Sequence, residues 1–111
     1  MGAALVFGAA GQALADGKDV SVKGELVDTY CFLTMDAKGA GHKECAVTCA
    51  QKGIPVGLLE EGTGKLYVLL PDKNGEALPE SVITHMGDAV TVKGDSYTSG
   101  GSQFLTVESV S

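Results

Sequence analysis

The sequence has no tryptophan and no arginine, and only three phenylalanines and three tyrosines among 111 residues. Alongside sixteen glycines, that shortage of large aromatics favours a turn-rich chain, more β than helical bundle. Positive charge is scarce as well: eight lysines face fourteen acids, for a net charge of −6. Phosphate contact needs a cationic surface, so this balance argues against nucleic acid as a partner. No transmembrane segment is expected, because the apolar stretch over residues 1–15 is too short to span a bilayer. A C-x-x-C pair is missing, and with it the thioredoxin-like redox motif; Ala50 rather than histidine follows Cys49, which sets aside covalent c-type haem.

What is present amounts to one small domain. At 44 % hydrophobic and 20 % charged residues, the chain allows a modest core and leaves little room for a second domain. Residues 1–15, MGAALVFGAAGQALA, end in Ala13-Leu14-Ala15, an A-x-A cleavage pattern after an apolar region. They read as a signal peptide or its remnant, although no basic residues precede them; an N-terminal helix retained on the chain is the alternative. The expected compartment is the periplasm or the exterior, and the working domain runs over 16–111.

From Asp19 to Thr29 apolar residues alternate with polar ones, as in a half-buried strand that delivers Tyr30 and Cys31 at its end. A glycine-rich turn over Lys38–Gly41 leads into a helix over His42–Lys52, with Gly53 closing it and Pro55 preventing continuation. Val56–Glu61 and Lys65–Leu70 flank Gly62-Thr63-Gly64 as a hairpin. The second of these strands, apolar on both faces, is expected to be the most buried. A short helix over Pro79–Met86 and two strands, Ala89–Tyr97 and Gln103–Val110, complete the chain. The expected architecture is mainly β: a five-stranded OB-like barrel, with one helix inserted between the first two strands and a short helix before the fourth.

All three cysteines, Cys31, Cys45 and Cys49, fall within Tyr30–Gly57, together with His42. At ~100° per residue, His42, Cys45 and Cys49 occupy a ~60° arc of one helix. If the turn folds that helix over the strand, Cys31 joins them in a Cys₃His set for one soft metal ion, zinc or copper. His42 and Cys49 are ~10.5 Å apart along the axis, a gap their side chains can only just close around one ion, and the strain disappears if His42 flanks the helix. An odd thiol count in an oxidising compartment also favours protection by a metal. The segments GELVDTYCF, HKECAVTCAQKGIPVGLL and GDAVTVKGDSY resemble small exported bacterial OB-like proteins with a C…HxxCAxxCxxxGxPxG pattern. The likeness covers most of the chain after Asp19 and implies the barrel and the site, but no activity.

Other readings stay open. A disulfide from Cys31 to a helix cysteine would make the chain a stapled extracytoplasmic domain that docks a protein partner without metal. Cys45 near a helix N-terminus would have a stabilised thiolate, which leaves a minor thiol-redox role. Met35 and Met86 offer thioethers to copper but fit ordinary core positions. His85 suits a capping or surface role, with non-covalent haem at His42 or His85 as the rival. Asp28, Tyr30 and Glu44 are expected around the site as supporting groups, not as ligands.

Overall fold

The computed structural model describes residues 17–111; the expected leader over residues 1–15 lies outside the described residues. Six strands form, β1 (Lys18–Asp28), β2 (Val56–Glu60), β3 (Leu66–Pro71), β4 (Ala89–Ser99), β5 (Ser102–Val107) and β6 (Ser109–Val110). The helices are α1 (Thr29–Met35), α2 (Lys43–Gln51) and α3 (Glu80–Thr84), with a single 3-10 turn at Ala40–His42. The first five strands run in the order β1-β2-β3-β5-β4, and β4 returns to β1, which closes an OB-like barrel. Among the described strands only the β3–β5 pair is parallel. β6 is an additional short strand on β4, registered Val92↔Val110 and Lys93↔Ser109.

β1 closes the barrel because its eleven residues serve two neighbours. Lys18–Glu25 pair with β4 and Gly24–Asp28 pair with β2, so Gly24 and Glu25 belong to both ladders. A Cβ at Gly24 would lie 2.3 Å from the Leu59 carbonyl oxygen, which is why the shared position has no side chain. Gly94 on β4 is tighter still, its absent Cβ falling 1.7 Å from the Thr106 carbonyl oxygen. There the β4–β5 ladder breaks, and the Asp95 N–H donates to Thr106 Oγ1 instead. That break divides the expected last strand into β5 and β6.

Inward residues of every long strand make the core, with Leu26, Leu58, Val92 and Leu105 fully buried and Met86 beneath them from the α3–β4 connection. Each such side chain stabilises the fold by roughly 1.5–3 kcal/mol through burial. β3 is not the most buried strand: Tyr67 and Leu69 face in, Leu66 and Val68 are half-buried, and Leu70 is exposed. Its apolar outer face has nothing comparable to the cover on β1. There α1 and α2 pack against the strand, and Leu26, Val27 and Asp28 are buried in succession.

Candidate metal centre

The site forms where β1 gives way to the inserted segment. Cys31 does not end a strand; it sits in the first turn of α1, because Asp28 caps that helix. Asp28 has extended backbone, and its Oδ1 accepts the Cys31 N–H at 2.8 Å, satisfying a donor that the helix leaves orphaned. Thr29 fixes the entry point, since its N–H and its hydroxyl both donate to the Pro55 carbonyl, at 3.1 and 2.7 Å. That anchor places α1 opposite the C-terminal half of α2, beside Cys49, whose own carbonyl accepts the Ile54 N–H.

α2 is oriented by Ala46, which points into the barrel core. Taking ~100° per residue from Ala46, Cys49 falls ~60° away on one side and Cys45 ~100° away on the same side. The ~40° between them separates a half-buried thiol from an exposed one. Lys43 ties the start of α2 to the barrel by donating to the carbonyls of Thr84 and Met86, both at 3.2 Å, and to Asp88 Oδ2 at 2.9 Å.

A carboxylate oxygen of Asp28 and the sulfurs of Cys31 and Cys49 all lie within 4.8 Å of one another. Asp28 is fully buried and Cys31 is 8 % exposed. The second carboxylate oxygen of Asp28 accepts a hydrogen bond from His42 Nε2 at 3.0 Å, which assigns the ring proton to Nε2 because an ionised carboxylate can only accept. Burial by itself would raise the Asp28 carboxyl. The Cys31 N–H, the Cys31 thiol and His42 outweigh burial and hold the group below its ordinary 3.8. Cys31 moves the other way, from 9.0 to about 11, through burial first, then the hydrogen bond and charge of Asp28, then Cys49. An anion and two thiols therefore face one small volume, and a cation arriving there would replace thiol protons.

Of the four residues expected to converge, the fold brings Cys31 and Cys49 together. His42 sits at the flank of α2 and bonds to Asp28, whose carboxylate in turn lies within 4.8 Å of the Cys49 sulfur. Cys45 stays outside the group, exposed on the solvent side of α2. All three cysteines are free thiols. Asp28, expected only as a supporting group, stands within the cluster, whereas Tyr30 is 61 % exposed and Glu44 is exposed too. The D-T-Y-C spacing was the available signal, since an aspartate three residues ahead of another residue is a capping arrangement. Met86 belongs to the core and Met35 is exposed on α1. His85 caps α3, its Nδ1 donating to the Ser81 carbonyl at 2.8 Å.

Compared with protein-family models, curated proteins and solved structures, the chain matches none. Among the described residues no helix is long and apolar enough to cross a membrane.

Proposed function

We propose that this chain is an exported metal-binding module of the periplasm or exterior, holding one ion between the Cys31 and Cys49 thiolates with Asp28 as third donor. The observation that carries this reading is the convergence of those three groups within 4.8 Å. His42 then acts as a positioning residue that fixes the carboxylate, as partners of metal ligands commonly do. Two thiolates and a carboxylate suit Zn²⁺ ahead of Cu(I), because the oxygen donor is too hard for a purely soft cation. Three protein donors leave a fourth position for water or an incoming ligand, which suits an ion that is carried and handed to a protein partner in the same compartment. The small exported bacterial OB-like proteins that the Cys/His pattern resembles are the proposed relatives.

The test is elemental analysis of protein purified reduced and without chelator, followed by zinc and copper competition against a chromophoric chelator. About one equivalent of zinc is expected, with Cys31→Ser and Cys49→Ser abolishing it, Asp28→Asn weakening it strongly because the variant removes a charged donor, and His42→Ala weakening it by roughly 10–100-fold, the scale on which loss of a supporting group acts. Binding should weaken as pH falls, because protons compete for both thiols. Absence of bound zinc and copper from reduced protein at neutral pH would overturn the proposal.

A further inference from the structure

The two thiols of the centre are also placed for a reaction with each other. They come from different helices, α1 and α2, and their sulfurs lie within 4.8 Å. A disulfide needs about 2 Å, and a change of χ1 rotamer moves a sulfur by about 3 Å. Their exposure differs: Cys49 is half-buried and the more open to a small reagent, while Cys31 is buried.

We infer that Cys31 and Cys49 are a redox-exchangeable pair, which a small-molecule disulfide closes and a thiol reopens, and that closing it expels the ion. The closure itself stands on the sulfur geometry alone; the release of an ion rests on the function proposed above. Cys49 attacks one sulfur of the external disulfide, breaking that S–S bond, forming a mixed disulfide and releasing the first thiolate. Cys31 then attacks the Cys49 sulfur, forms the internal bond and displaces the second thiolate. Two cysteine thiols are oxidised, one external disulfide is reduced to two thiols, and the two cysteine protons end on those products. With both sulfurs consumed, Asp28 is the remaining donor of the three. Cys45, exposed on the solvent side of α2, takes no part in the closure; the external disulfide can only cap it as a mixed disulfide.

The experiment treats the full reduced chain, first stripped of metal and then zinc-loaded, with oxidised glutathione. Thiols are counted under denaturing conditions, the link is mapped by fragmentation mass spectrometry, and released zinc is read with a chromophoric chelator. The Cys31 and Cys49 thiols are expected to be lost to an internal link that carries no glutathione, with one ion released per closure, while Cys45 is found as a thiol or as a glutathione adduct. Cys45→Ser should close equally well, Cys49→Ser should not close, and Cys31→Ser should stop as a glutathione adduct on Cys49. A Cys45–Cys49 link, a dimer through Cys45, or three thiols surviving an excess of glutathione disulfide would overturn the inference. Closure in a protein that takes up no zinc when loaded would sink the metal proposal alone. Zinc binding without closure would sink the redox pair alone.

Discussion

The barrel wall and the inserted segment between β1 and β2 are held by different physics. In the wall, Leu26, Leu58, Val92 and Leu105 are buried among one another and backbone ladders satisfy the polar groups. The insert adds only Ala46 to the buried core, with Val47 and Ala50 partly buried against it, and presents Tyr30, Leu33 and Met35 to solvent at 61–66 % exposure. What fixes it is a buried carboxylate with its hydrogen bonds, Thr29 on Pro55, and Lys43 on the α3–β4 connection. Stability therefore resides in the wall, and the insert places chemistry on it.

That division breaks if substitutions in the two regions cost the same. Leu58→Ala should cost about 2–5 kcal/mol, as for other large core truncations. Gly94→Ala should exceed it, because the new methyl would meet the Thr106 carbonyl and neither backbone can yield without opening the β4–β5 junction. Leu33→Ser, on the exposed face of α1, should stay within about 0.5 kcal/mol. Urea unfolding of the three variants measures the order directly. A Leu33→Ser protein as unstable as Leu58→Ala would show that the insert carries much of the fold.

Asp28 is where the regions meet, and its replacement should fall between these extremes. Asp28→Ala removes the cap of α1 and strips His42 of its acceptor, at a combined cost of roughly 2–4 kcal/mol. Asp28→Asn keeps an oxygen for the Cys31 N–H and should cost clearly less. Because the folded carboxyl titrates below 3.8, its contribution is fully present above that value and is lost as pH falls through the lower folded value. Acid titration of stability should thus be shallower in Asp28→Asn than in the parent. Identical acid limbs would show that the charge of Asp28 does not support the fold.

The sequence carried more of the wall than of the insert. Alternation in Asp19–Thr29, the Gly62-Thr63-Gly64 hairpin and the glycine after His42–Lys52 each act locally, so the strands, the barrel and α2 were legible from them. β6 was not, because the break at Gly94 and Thr106 depends on two strands meeting. The burial of β3 was overread for a similar reason: apolar residues on both faces do not say whether anything covers the outer one. In the insert, helical spacing showed that His42, Cys45 and Cys49 share an arc, yet it could not say which part of the arc Cys31 would meet. That depends on Thr29 bonding to Pro55, a contact between residues 26 positions apart.

The smallest effect separates a lysine that joins the two regions from one that decorates the wall. Lys43 is partly buried and spends its ammonium on two carbonyls at the end of α3 and on Asp88. Lys93 pairs with Glu108 at 2.9 Å and with Asp19 at 3.8 Å, all of them well exposed. Exposed pairs contribute little and fade in salt, whereas carbonyls left without a donor keep their cost. Lys43→Met should lose about 1 kcal/mol, largely unchanged by added salt, and should raise hydrogen exchange in α2 above that of β4. Lys93→Met should be milder and should converge on the parent as ionic strength rises. Equal salt sensitivity in the two variants would mean that Lys43 too is only a surface charge, and that packing of Ala46, Val47 and Ala50 holds α2 in place.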